Sequence, residues 1–121
     1  MAVTQIGGAQ LVTLFSGSTT GTVTLSESAA NFRLLIINAK INGMPLASAV
    51  ISDPDGKSAT ISGFIKATDV FGQFRFRTVR ISGTSITTES AGFFNVDNRS
   101  WTLSGSWSDN NVQITRVVGV R

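Results

Sequence analysis

Residues 72–82, GQFRFRTVRIS, carry the pattern that decides the fold class. Side chains alternate between the two faces of a regular strand, so Phe74 and Phe76 share one face while Arg75 and Arg77 share the other. Two interpretations of the arginine face are open. It is either a solvated face on which the arginines extend or pair with acids, or a ridge that grips a partner chain or an anionic ligand. We predict that these four residues form an oligomer interface.

The rest of the chain has the same strand-like composition. Val and Ile together number 21, Thr numbers 14 and Gly numbers 12 among the 121 residues. Val, Ile, Thr and Phe suit a pleated, half-buried surface, whereas Gly supplies turns. Turn signals recur about every 8–12 residues, and no long window favours a helix. The sequence therefore predicts one domain over residues 1–121, an all-β antiparallel sandwich of jelly-roll type with about nine short strands.

Several local signals give more detailed expectations. The apolar run Leu34–Ile37 predicts a strand that is buried on both faces. The dipeptide Asn42-Gly43 predicts a tight turn. Asp53-Pro54-Asp55-Gly56 is the clearest turn signal, and it predicts a hairpin in which residues 58–65 return antiparallel to residues 46–52.

Two further expectations concern regular structure. Residues 26–31 are the one stretch that we expect to form a helical turn. Residues 84–89 and 91–96 are expected to form two separate short strands.

Residue types that are absent exclude several function classes. The chain has no cysteine, which excludes disulfides and thiolate chemistry, and no histidine, which removes the usual general base and the usual zinc ligand. It has no run of about 18 apolar residues, so we expect no membrane insertion. Its first residues lack the features of a signal peptide, so we expect synthesis in a cytosol.

Catalysis, metal binding and nucleic-acid binding are not expected. No paired carboxylates, Ser-Lys motif or phosphate-binding glycine loop stands out, so we predict no enzyme and no cofactor. Asp53 and Asp55 have the spacing of calcium-loop carboxylates, but no third ligand follows them, so a plain turn is preferred. The net charge is +3, yet the basic residues form no phosphate-binding run apart from the cluster of Arg75, Arg77 and Arg80.

One region has the chemistry of a saccharide site. Trp101 and Trp107 share parity on a strand, so both indole rings can lie on one face. Asp109 and Asn110 follow closely, and an indole rimmed by carboxylate and amide groups matches the apolar faces and hydroxyls of a sugar. We predict Trp101, Trp107, Asp109 and Asn110 as saccharide-binding residues. The alternative is that one or both tryptophans anchor the core.

Parts of the chain resemble the distal domains of bacteriophage tail fibres and baseplate receptor-binding proteins. The resemblance is carried by Leu14-Phe15-Ser16-Gly17, by residues 21–26, by Phe32 with Leu34–Ile36, and by residues 114–120. It covers the first third and the last ten residues, as a pattern of hydrophobic, Ser and Gly positions. It implies a homotrimer that packs through apolar sheet faces and binds saccharide at exposed loops or protomer boundaries. One departure is that the chain begins at Met1 without a stalk.

Hydropathy independently favours association. The mean hydropathy is +0.20 although 14% of residues are charged, and this indicates apolar surface beyond what one small core hides. We therefore predict a virion protein made in the host cytoplasm, a trimeric host-recognition module whose partners are cell-surface saccharide and other virion proteins. A structural capsid or tail decoration or assembly protein without glycan binding is the first alternative. A carbohydrate-binding module of an enzyme is the second.

Overall fold

The computed structural model describes residues 2–41, 44–66, 71–97, 102–106 and 112–121. Strands dominate these ranges, as the β-branched and aromatic composition predicts. The strands are β1 (Ala2–Ile6), β2 (Ala9–Thr19), β3 (Val23–Thr24), β4 (Leu34–Ile41), β5 (Met44–Ser52), β6 (Ser58–Lys66), β7 (Phe71–Ser82), β8 (Ser85–Asp97), β9 (Thr102–Ser106) and β10 (Val112–Val120). Strand β1 was not predicted from the sequence.

The strands form two antiparallel sheets. The first sheet has the order β1–β2–β10–β4–β5, and the second has the order β3–β8–β7–β6 with β9 also paired to β8. The predicted all-β antiparallel sandwich is therefore confirmed, whereas the jelly-roll connectivity stays a prediction. Within the described ranges, no helix is long and apolar enough to cross a membrane.

The core lies between the two sheets. Leu35, Ile37, Ala39 and Ile41 alternate along β4 and are fully buried, because their side chains point inward from the pleat. Leu34 and Ile36, on the other face, are only half-buried, and Lys40 is exposed. The expectation that residues 34–37 are buried on both faces is therefore wrong for the outer face, which has no layer of the described chain above it.

The turn at Asp53-Pro54-Asp55-Gly56 connects the sheets rather than closing a hairpin. Strand β5 is the last strand of the first sheet and β6 is the last strand of the second, so the predicted β5–β6 hairpin is wrong. The turn is tied to the β7–β8 hairpin instead: Gly56 N donates to Ile81 O at 2.8 Å, and Asp55 Oδ1 accepts from Gly83 N at 2.8 Å. A turn motif specifies a chain reversal, but not whether the returning strand pairs with its predecessor.

Two other local expectations have clear outcomes. The expected helical turn is confirmed as a 3-10 turn at Ala29–Asn31, with Ser28 Oγ accepting from Ala30 N. The two strands expected at 84–89 and 91–96 are one strand, β8, with a β-bulge between them. Thr78 pairs with Ser90 and Val79 with Thr88, so Glu89 is the extra residue.

The predicted tight turn at residues 42–43 lies outside the described residues, although Ile41 pairs with Met44 on either side of it.

Candidate interaction surfaces

An aromatic patch lies on the outer face of the second sheet. Phe64 of β6 is paired with Phe74 of β7, which is paired with Phe94 of β8, so these three phenylalanines form a row across the strands. Phe76 lies one step further along β7. Its ring is stacked on Phe94 at a centroid distance of 5.5 Å and on Phe74 at 6.5 Å. We call Phe64, Phe74, Phe76 and Phe94 the aromatic platform.

Two members of the platform are open to contact. Phe64 is 52% exposed and Phe74 is 38% exposed, whereas Phe76 is only 7% exposed. Phe76 lies opposite Gly92, which has no side chain to cover the sheet at that point. Offset stacking between neighbouring rings holds such side chains in place. Phe74 is therefore accessible on the surface, whereas Phe76 packs within the chain, and the predicted role of both in an oligomer interface stays a prediction.

The arginines of β7 lie on the inner face. The predicted alternation of Phe74 and Phe76 against Arg75 and Arg77 is observed, but the arginine face points into the sandwich. Arg77 is fully buried, so the expectation that it contacts a partner chain is wrong, and so is the solvated-face interpretation. Sequence alternation gives the parity of a strand, but both faces of this strand carry large side chains, so it does not decide which one is covered.

Arg77 links the two sheets from its buried position. Its Nη1 donates to the carbonyl oxygen of Thr20, just after β2, and to Thr88 Oγ1 of β8 at 3.0 Å. Burial lowers the pKa of the Arg77 guanidinium from its ordinary value, because desolvation penalises the charged form. The hydrogen bonds offset part of this penalty, so Arg77 has a structural role in the single chain.

Arg75 also faces inward, in a polar cluster next to Arg77. Its Nε donates to Gln73 Oε1 at 2.9 Å, and Gln73 Nε2 donates to Asn95 Oδ1 at 2.9 Å. All three side chains are half-buried. Beyond Arg77, the inner face of β7 therefore carries polar side chains. The prediction that Arg75 shares an interface with the phenylalanines is not supported, because it lies on the opposite face of the sheet.

The predicted saccharide residues Trp101, Trp107, Asp109 and Asn110 lie outside the described residues. Their role therefore stays a prediction. The strand between them is described: β9 pairs with β8, with Gly105 opposite Phe94 and Ser106 opposite Phe93.

The turn that carries Asp53 and Asp55 borders a depression of about 210 Å³, which is lined by Ala29, Ala30, Phe32, Asp53, Pro54 and Asp55. Asp55 already accepts the hydrogen bond from Gly83 N. No group of three or more metal-ligating carboxylate side chains occurs in the part of the chain that the structure describes. The preferred interpretation of this segment as a turn agrees with these contacts.

The sequence interpretation missed a second exposed apolar region. Leu46 and Val50 of β5 are 68% and 64% exposed, the highest values among the large hydrophobic residues described. The signal that could have revealed it is that Met44–Ser52 contains no charged residue, although charges usually protect the last strand of a sheet.

No protein-family model matches the chain, and comparison with curated proteins and with solved structures found no match. The resemblance to phage tail-fibre domains therefore stays a prediction from the sequence.

Proposed function

We propose that the protein is a homo-oligomeric β-sandwich of a bacteriophage particle, where it acts as a trimeric host-recognition module that binds cell-surface saccharide. The observation that carries the proposal is the aromatic platform, because Phe64 and Phe74 expose apolar rings on a sheet face that no described part of the chain covers. Exposed apolar patches of this kind mark protein or ligand contacts. Packing the platforms of neighbouring protomers together removes both rings from water.

The location of the resembling segments supports the same proposal. Residues 14–17 lie in β2, residues 34–36 in β4 and residues 114–120 in β10. These three strands are adjacent in the first sheet. Three of the segments that resemble tail-fibre domains are therefore neighbours in one sheet, whereas residues 21–26 contain β3 of the second sheet. The platform lies on the other sheet, which leaves it available for contacts between protomers.

Solution mass, measured by light scattering behind size exclusion at two concentrations, tests the oligomer. We expect a multiple of three times 12.8 kDa. Phe64→Ser should lower the mass to fewer protomers while the circular dichroism spectrum stays β-type, because a polar side chain weakens the apolar contact. Thr87→Ala, at an exposed position of β8, is the control and should leave the mass unchanged. A monomeric wild-type protein at both concentrations overturns the trimeric proposal.

A glycan array tests the saccharide part with the same protein. A saturable signal on defined saccharides supports host recognition. An oligomer with no glycan signal overturns that part and leaves the association through the platform standing.

The second candidate is a structural decoration or assembly protein of a capsid or tail. The exposure of Leu46 and Val50 favours it, because these residues lie on the first sheet and add an apolar surface separate from the platform. A protein with two such surfaces can bind more than one neighbouring protein in a particle. This candidate predicts co-sedimentation with purified capsids or tails and no signal on a glycan array.

A further inference from the structure

Strand β5 is an open edge of the first sheet. It pairs with β4 on one side, with Ala49 opposite Ile37 and Ser48 opposite Asn38, and no strand of the described residues pairs with its other side. An open edge presents backbone N–H and C=O groups that can bind another strand. Which chain, if any, binds there depends on the side chains of the edge.

Apart from Pro45 near its beginning, this edge lacks the features that usually block pairing. None of its nine residues, MPLASAVIS, is charged, and its one proline is near its beginning. Natural sheets commonly protect an edge with a lysine, an inward charge or a short strand. In addition, Leu46 and Val50 of this strand are the most exposed large hydrophobic residues described. Both observations indicate that β5 is covered in the assembled protein.

The sequence of the strand identifies the covering chain. Leu46-Ala47-Ser48-Ala49-Val50 is nearly palindromic about Ser48. We propose that β5 pairs antiparallel with β5 of a second copy, around a two-fold axis at Ser48. In that register, Ser48 lies opposite Ser48 of the partner subunit, and the alanines lie opposite each other. Leu46 lies opposite Val50 of the partner subunit.

In this register, the side chains on both faces of the sheet can pack against those of the partner strand. Leu46, Ser48 and Val50 are exposed on the outer face, where the two copies of Leu46 and Val50 form cross-strand apolar pairs. Ala47 and Ala49 are half-buried on the inner face, and their small side chains let a neighbouring strand approach without a clash. No like charges meet, because the strand carries none. An isologous contact of this kind closes on itself, so it leaves no further open β5 edge.

Disulfide trapping tests the register directly, because the protein has no native cysteine. Directly opposite residues have α-carbons about 4.5–5.5 Å apart, which is within the range that a disulfide spans. Ser48→Cys should therefore form a covalent dimer under mild oxidation. Val50→Cys is the matched control: in this register its two copies are displaced by about 13 Å along the strands and should remain thiols.

A mixed sample refines the same test. Leu46→Cys and Val50→Cys proteins, combined in equal amounts, should cross-link to each other, because these positions are opposite in the proposed pair. Failure of Ser48→Cys to cross-link, or cross-linking of Val50→Cys at the same rate, overturns the proposal. Circular dichroism checks that the variants are folded. We expect them to fold because residues 46, 48 and 50 are all exposed on the outer face of β5.

A charge variant separates this contact from the platform. Ser48→Lys places two lysines opposite each other and should halve the solution mass, from six protomers to three where three-fold association also holds. Ser82→Lys, at an exposed position at the end of β7, is the control and should leave the mass unchanged. If the wild-type protein is a trimer and Ser48→Lys leaves its solution mass unchanged, the proposed function stands and the β5 pairing is overturned.

Discussion

The ring of Phe32 lies so close to the backbone of Gly119 that a β-carbon on Gly119 would be 2.5 Å from Phe32 Cδ1. The guanidinium carbon of Arg121 lies 5.0 Å from the centroid of the same ring. Arg121 also forms an ion pair with Glu27 and donates to Gln10 Oε1 at 2.7 Å. Phe32 is therefore held between the central strand of the first sheet and the residue that follows that strand.

Gly119→Ala should lower the free energy of unfolding by about 1–3 kcal/mol, because Phe32 must leave its position to make room for a methyl group. Urea denaturation followed by tryptophan fluorescence measures the change. Gly8→Ala is the control, since a β-carbon on Gly8 has nothing within 4 Å. A Gly119→Ala protein as stable as the Gly8→Ala protein would show that the ring moves aside at no cost.

Arg77→Leu should destabilise the protein by about 1–3 kcal/mol, because it leaves the Thr20 carbonyl and the Thr88 hydroxyl without the donor they have now. Arg80→Leu, at an exposed position of the same strand, should change stability by less than about 0.5 kcal/mol. The midpoints of urea denaturation measure both. Equal stability of the two variants contradicts the role of Arg77 in linking the sheets.

Gly83→Ala should lower the free energy of unfolding by about 1–2 kcal/mol, through backbone strain alone. Gly83 has φ +57°, a left-handed conformation that strains an alanine, and a β-carbon there has nothing within 4 Å. The residue forms the β7–β8 turn with Thr84. Gly21→Ala is the control, because Gly21 has no positive φ and its β-carbon makes only an ordinary contact at 3.6 Å. Thermal denaturation should show a lower midpoint for Gly83→Ala only.

Trp107→Ala should lower the affinity for a bound saccharide at least about tenfold, because the sugar loses the aromatic surface on which it stacks. Trp107→Phe retains a ring and should keep part of the affinity. Titration calorimetry with a saccharide selected on the glycan array measures both. If Trp107→Ala unfolds the protein instead, Trp107 is a core residue and the site assignment fails.

The fold class follows from the sequence because strand periodicity and turn residues are local properties. The 3-10 turn at Ala29–Asn31 and an interruption between residues 89 and 91 are both expected from local signals. The interruption is a bulge at Glu89 within β8 rather than a gap between two strands. Pairing partners are not local. Nothing in Asp53-Pro54-Asp55-Gly56 distinguishes a hairpin from a connection between sheets, since both need the same chain reversal.

For the candidate surfaces, too, the sequence predicts local features but not contacts between distant residues. The alternation in β7 correctly separates Phe74 from Arg75, yet Arg77 is buried because Thr20 and Thr88 supply its acceptors from distant positions in the chain. The exposure of Leu46 and Val50 depends on β5 being the last strand of its sheet, which is a property of the topology. The proposed saccharide residues have no described side chains, so the platform and the β5 edge are the surfaces that the structure adds.

The central position of β10 has a consequence for how the protein is made. Residues 112–120 pair with β2 on one side and β4 on the other, so Ile114 lies opposite Thr19 although 95 positions separate them in sequence. During synthesis, β2 and β4 leave the ribosome long before the strand that joins them. The first sheet can therefore close only after residue 120 has been released, and long-range pairing of this kind makes folding slow. Until then, β2 and β4 each have an unpaired side that a neighbouring nascent chain can occupy.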